Sequence, residues 1–204
     1  MTSLIKAIIF DYGNVLLEWN PRYVYRRFFP NDPEGIEHFF REVNFMDWNV
    51  HQDKGRPFAE GVTVLSQQFP QYSHLIQAYQ DYWKDSIGES ITGTIDILKQ
   101  LKQAGYPLYG LSNWSAETFP YAREKYDFFE LFDDMVISGE VGHVKPDPVI
   151  YQMMLDKIGR PAKECLFIDD SLPNIDQANK MGFATIHFQS PELLEKELKQ
   201  LHLI

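Results

Sequence analysis

The sequence predicts an α/β protein: a doubly wound parallel sheet with helices on both faces, interrupted by a small all-helical insert. Three observations predict it. Short, unbroken apolar runs such as Ala7-Ile8-Ile9-Phe10 and Cys165-Leu166-Phe167-Ile168 have the length of strands buried on both faces. From Thr94 onward these runs alternate with segments of helical spacing, as right-handed crossovers between parallel strands require. Between Glu18 and about Gly88 the helical spacing continues with no convincing buried strand. A stretch of that length is too long for a structureless loop. A chain of 204 residues suits one domain carrying a smaller one. The predicted division is a core of residues 1–17 and 88–204 and a helical cap of residues 18–87.

Taken in order, Lys6 to Phe10 is the first strand. It runs directly into Asp11, with Gly13 opening a turn in which a glycine allows unusual backbone angles and close approach of a ligand. Arg22 to Phe29 and Gly35 to Val43 read as helices, punctuated by Pro30 and Pro33. Phe58, Val62, Leu65 and Phe69 form one apolar stripe, and Leu75, Ile76, Tyr79, Tyr82 and Trp83 another. Hinges are expected near Leu17–Asn20 and Ser86–Thr92. Ile95, Leu98 and Leu101 mark a helix stopped by Gly105. Pro107 to Leu111 is the second strand, and Ser115 is placed to cap a helix running toward Tyr126. Met135 to Ser138 is the third strand. Asp147-Pro148 combines a capping side chain with proline at the first helical position, and Gly159 closes that helix. Cys165 to Asp169 is the fourth strand and Phe183 to Phe188 the fifth. Helices from Pro173 to Met181 and from Pro191 to Leu201 complete the fold.

Composition narrows the function. A net charge of −10, with no basic block longer than a pair, argues against nucleic acid, whose phosphates need a basic face. A small anionic substrate is compatible, because local charge in a cleft outweighs the global sum. Cys165 is the only cysteine, which fits a reducing, cytoplasmic setting. No apolar run approaches a membrane span, and the N-terminus has no signal-peptide pattern, so no membrane partner is expected. A monomer or homodimer is expected.

The chemistry gathers at the carboxyl ends of the strands, where open α/β sheets bind ligands. Asp11 follows the first strand, Ser112-Asn113 the second, Lys145 the third, and Asp169-Asp170 ends the fourth. Adjacent acids at the end of a buried strand repel each other and lose hydration, so they call for a cation or several donors nearby. Mg²⁺ suits hard carboxylate oxygens together with phosphate. The combination points to phosphoryl transfer, with Asp11 as nucleophile. Mg²⁺ is expected on Asp11, the Gly13 carbonyl oxygen and Asp170, with Asp169 a direct or water-mediated ligand. Lys145 offsets the packed negative charge, while Ser112 and the Asn113 backbone amide donate to phosphate oxygens.

Phe10-Asp11-Tyr12-Gly13-Asn14-Val15, Leu111-Ser112-Asn113, Lys145-Pro146 and Ile168-Asp169-Asp170-Ser171 resemble, in order, the four motifs of the haloacid dehalogenase-like hydrolase superfamily. The resemblance spans the chain and is nearest to the sugar-phosphate phosphatase branch. It implies a Rossmann-like core, Asp11 as nucleophile, a Mg²⁺ site, and a cap that covers the site and selects a small phosphorylated substrate. One position departs from the pattern. Phosphatases of the family usually carry a second aspartate two residues after the nucleophile, which protonates the leaving group and then activates water. Here that residue is Gly13. Some members with the same glycine are regarded as phosphatases. His51 and Asp53 in the cap, and His143 ahead of the lysine, are candidates to supply the proton.

Two alternatives stand beside the phosphatase. A 2-haloacid dehalogenase attacks carbon with the same aspartate and no metal, but its first motif carries tyrosine where Gly13 stands, and its fourth lacks the paired acids. A non-catalytic phosphate-binding relative would keep the pocket without the acid/base group. Trp19, Trp48, Asn49, His51 and Trp114 are expected to line the pocket, since aromatic faces with a few polar groups suit a sugar ring or another small organic body.

Overall fold

The computed structural model describes residues 5–204, so the first four residues of the predicted core lie outside the described residues. Strand β1 (Ala7–Phe10) is apolar throughout because it is central, with every residue buried. The chain then turns through Tyr12–Leu16 into β2 (Leu17–Trp19). Five helices follow: α1 (Arg22–Tyr25), α2 (Pro33–Glu42), α3 (Phe45–Asp53), α4 (Phe58–Gln68) and α5 (Ser73–Asp81). Strand β3 (Ile87–Ser90) returns antiparallel to β2. Strands and helices then alternate through α6 (Thr92–Gln103), β4 (Leu108–Ser112), α7 (Phe119–Lys125), β5 (Asp134–Ile137), α8 (Ser138–Val141) and α9 (Pro148–Ile158). The sequence ends with β6 (Cys165–Asp169), α10 (Leu172–Lys180), β7 (Ala184–His187) and α11 (Pro191–Gln200).

The main sheet has the order β5-β4-β1-β6-β7, every pair parallel. The chain winds outward from β1 through β4 to β5, then crosses to the other side for β6 and β7. The winding reverses between β1 and β6, and such a switch point leaves a crevice at the carboxyl ends of the two strands. Asp11 and Asp169 stand at that crevice. Alternation along β1 divides the core. Ala7 and Ile9 pack with Leu111 and Phe167 against Ile150, Tyr151 and Met154 of α9 and Ile175 of α10. Ile8 and Phe10 face the other way, toward Leu98 and Leu101 of α6 and Leu194 and Leu198 of α11.

The helices between β2 and β3 build their own aromatic centre. Phe40 and Phe45 stack at 4.2 Å, and Phe45 meets Tyr79 edge-on at 4.9 Å. Packing of this kind contributes beyond the area it buries. The predicted caps form at Asp147, which accepts from Val149 N at 3.0 Å, and Gly159 ends α9 in the left-handed region.

The structure departs from the sequence reading in several places; the helix expected from Arg22 to Phe29, for one, spans only Arg22–Tyr25, and the short α8 was not foreseen. Helix α3 is unforeseen, because its buried face is Phe45, Trp48, Asn49 and Gln52, and two polar side chains hide the periodicity. The segments read as hinges carry the paired strands β2 and β3, unforeseen because three and four residues are too short to show a pattern. Ser115 closes a turn to Glu117 N at 3.2 Å, and the helix starts only at Phe119, with Pro120 in its first turn. Gly13 does not use the left-handed region; Asn14 does, at φ 55°. A short polar side chain tolerates that conformation better than most.

Candidate active site

The crevice at the switch point opens into a cavity of about 440 Å³ between the sheet edge and the inserted helices. Asp11 leaves β1 with its backbone N–H bonded to Ile168 O, which fixes the strand end against β6. Three donors converge on Asp11 Oδ1: Tyr12 N at 2.7 Å, Ser112 Oγ at 2.8 Å and Lys145 Nζ at 2.9 Å. Oδ2 carries none of these three bonds.

Lys145 is buried between two acids, with Nζ 2.6 Å from Asp169 Oδ2. Its backbone is clamped by Asn113, whose Oδ1 accepts from Lys145 N at 2.7 Å and whose Nδ2 donates to Lys145 O at 2.9 Å. The Asn113 side chain therefore positions the lysine loop. Asp169 is fully buried and already surrounded by donors: Lys145, Ser171 N at 2.8 Å, and Asn174 Nδ2 at 3.0 and 3.1 Å to its two oxygens. Asp170 lines the cavity instead, with its backbone oxygen against His187 Nε2 at 3.0 Å and its carboxyl hydrogen-bonded by Asn14.

One ligand oxygen from each of Asp11, Asp169 and Asp170 lies within 4.8 Å of the others, an arrangement that could hold a metal ion. Three carboxylates face one ammonium, so the cluster carries surplus negative charge in a poorly hydrated place. Burial pushes the Asp11 carboxyl up to about 7, against the pull of Lys145 and with the help of Asp169 and Asp170. Burial and the neighbouring Asp169 likewise raise Asp170. A divalent cation would relieve this, and hard carboxylate oxygens are the donors it prefers.

The far wall of the cavity comes from the inserted helices and the β2–β3 ribbon. Trp19 and Asn49 line it as expected, together with the proton-donor candidate Asp53 and Leu17, Met46, Val50, Tyr79, Trp83 and Ile87, while Trp114 lines the cavity from the core, just after β4. Three expected residues lie elsewhere. Trp48 is buried in the helical centre with Nε1 donating to Gly61 O at 2.9 Å. His51 is exposed on α3 and off the lining. His143 pairs with Asp147 Oδ2 at 3.0 Å, away from the cavity.

Sequence reasoning missed Asn14 and Asn174. Each supports a neighbouring acid, and each sits within a few residues of an acid it named, which was the signal available. It also missed why Gly110 is a glycine: a β-carbon there would lie 1.7 Å from Tyr12 Oη, so β4 must pass bare under that ring. Among the described residues no helix is long and apolar enough to cross a membrane.

A family model for haloacid dehalogenase-like hydrolases matches residues 5–182. The chain is 29% identical over 201 residues to the sesquiterpene phosphatase astK of Aspergillus oryzae, covering 98% of each chain. It is 24% identical over 202 residues to the drimenol cyclase drtB of Aspergillus calidoustus, covering 97% of this chain but only 37% of the cyclase. In structure it is similar to a HAD family enzyme of Bacteroides thetaiotaomicron solved with magnesium and inorganic phosphate. The TM-score is 0.69 at 24% identity, over 91% of this chain and 95% of the other.

Proposed function

The chain belongs to the haloacid dehalogenase-like hydrolases, and from that premise we propose that it is a magnesium-dependent phosphomonoester hydrolase. The observation that carries this reading is the convergence of Lys145, Ser112 and Tyr12 N on one oxygen of Asp11, with Asp170 beside it and Asp169 behind.

Asp11 Oδ2 attacks phosphorus, the bond from phosphorus to the ester oxygen breaks, and an aspartyl phosphate forms. Water then attacks phosphorus and releases Asp11 as its carboxylate, so one difficult hydrolysis becomes two easier steps. Lys145 and Ser112 stabilise charge that grows on the transferring group. Asp11, the Gly13 carbonyl and Asp170 would hold Mg²⁺, with Asp169 acting through water and through Lys145, since its own oxygens are already engaged. The ion supplies charge neutralisation for an anionic nucleophile meeting an anionic phosphate. The core is residues 1–17 and 88–204, and the cap, residues 18–87, closes over the cavity and excludes water.

The substrate is a small phosphorylated metabolite. The aromatic lining first suggests a sugar phosphate. Leu17, Met46, Val50 and Ile87 in the same wall favour a second reading, the phosphate of an apolar alcohol. The similarity to a sesquiterpene phosphatase supports that reading. Metal-free attack on a haloacid's carbon would leave Asp170, which faces the cavity beside Asp11, with no cation to hold, and this weighs against the dehalogenase alternative. The test is a panel of sugar phosphates, nucleotides and terpenoid phosphates assayed with Mg²⁺ and with chelator. Mg²⁺-dependent phosphate release, reduced by about 10⁴-fold or more in Asp11→Asn, is the expected result. Turnover of 2-chloropropionate without metal would replace the phosphatase with the dehalogenase. Inactivity on every ester would leave a binding module.

A further inference from the structure

We infer that Asp53, carried by α3, protonates the leaving-group oxygen and so does the work for which position 13 has no side chain. The inference rests on the hydrolase reading of Asp11.

The first observation is an open place. A β-carbon built on Gly13 meets nothing closer than Trp19 Cβ at 4.0 Å, and the residue lies outside the left-handed region. Backbone geometry does not demand glycine there. The cavity simply has space beside the nucleophile where no acid stands.

The second observation is what else lines the cavity. Its titratable side chains are Asp11, Asp53, Tyr79, Lys145 and Asp170. Asp11 and Asp170 belong to the acid cluster, and Lys145 is locked between Asp11 and Asp169. Burial, with Asp53 nearby, holds the Tyr79 phenol well above its ordinary range, so its conjugate base is hard to form. Asp53 is the carboxyl that remains.

The third observation is how it is held. Asn49 Nδ2 donates to Asp53 Oδ2 at 2.9 Å, and the backbone of Ser115 donates to the same carboxyl. Ser138 Oγ donates to Asp53 O, tying the end of α3 to the core. The groups facing it are neutral: Asn49 from its own helix, Ser115 after β4, Ser138 from α8 and Tyr79 from α5. Burial pushes the carboxyl up to about 7, against the two hydrogen bonds from Asn49 and Ser115. An acid tuned near the working pH can give a proton in one step and accept one in the next.

In the first step the phosphorus–oxygen bond breaks and the alcohol oxygen takes the Asp53 proton. In the second, the Asp53 carboxylate takes a proton from the water that attacks phosphorus, and Asp11 leaves. Both aspartates end as they began.

The experiment compares octyl phosphate, whose leaving group needs a proton, with p-nitrophenyl phosphate, whose leaving group does not. The full chain is used with excess Mg²⁺, and kcat/KM is read because it reports the steps up to transfer onto Asp11. Asp53→Asn is expected to lower the octyl phosphate value by about 10²-fold or more, and the p-nitrophenyl phosphate value far less. Gly13→Asp added to Asp53→Asn is expected to recover at least part of the octyl phosphate turnover, since the open place admits it. Equal loss on both esters without recovery in the double variant, or no loss on either, overturns the inference while the hydrolase reading stands. Inactivity of the unaltered chain on both esters overturns the hydrolase reading and this inference with it.

Discussion

The two walls of the cavity are built on different terms. On the sheet side nearly every polar group has a named partner: Asp11 accepts three bonds, Asp169 four, and Asn113 clamps Lys145 with two. On the helical side the lining is mostly aromatic and aliphatic, with Met46 and Val50 left 48% and 41% exposed. The sheet wall tolerates no loose end because its charges are buried. The helical wall can change its shape side chain by side chain, since apolar contacts are non-directional. On the proposed reading the sheet wall would carry the nucleophile and the metal, while the helical wall would select the substrate and, through Asp53, supply a proton.

The contrast breaks most sharply at Lys145. Lys145→Met strands two buried carboxylates, so unfolding by urea without added metal should show a loss of about 3–5 kcal/mol, with turnover falling in parallel. Asn174→Ala removes a donor that orients Asp169 without touching the cavity's charge. It should weaken the apparent Mg²⁺ affinity by about 10–100-fold in a metal titration, the usual effect of an outer partner.

Asp53 tests the helical wall by its pH dependence. Its folded value, about 7, lies above its ordinary 3.8, so the folded chain keeps a proton the unfolded chain has released. Its contribution to stability therefore falls as pH rises from about 4 to about 7 and is level beyond. Asp53→Asn should match the unaltered chain in thermal unfolding near pH 4 and exceed it at pH 8. The smallest effects belong to Met46→Ala and Val50→Ala. Each should raise KM for an apolar alcohol phosphate by a few fold, about 1 kcal/mol, and leave KM for a short polar ester nearly fixed.

The same division explains what could be read from the sequence. The sheet and its motifs were legible because three of the site residues directly follow an apolar run: Asp11 after Phe10, Ser112 after Leu111, Asp169 after Ile168. The clamp between Asn113 and Lys145 joins residues 32 apart, which no local pattern announces. Helix α3 was hidden because Asn49 and Gln52 occupy buried positions that apolar residues would normally fill. His51 and His143 drew attention by their chemistry alone, and neither lines the cavity.

Ser138 adds a consequence for access. Its hydroxyl accepts from Trp114 N at 2.9 Å and donates across the cavity's edge to Asp53 O. If the inserted helices move on the β2–β3 ribbon during turnover, as proposed, Trp114 N would keep its acceptor while the bond to Asp53 O is exchanged for one to water or to Trp114 O, at a cost of about 1 kcal/mol for that bond.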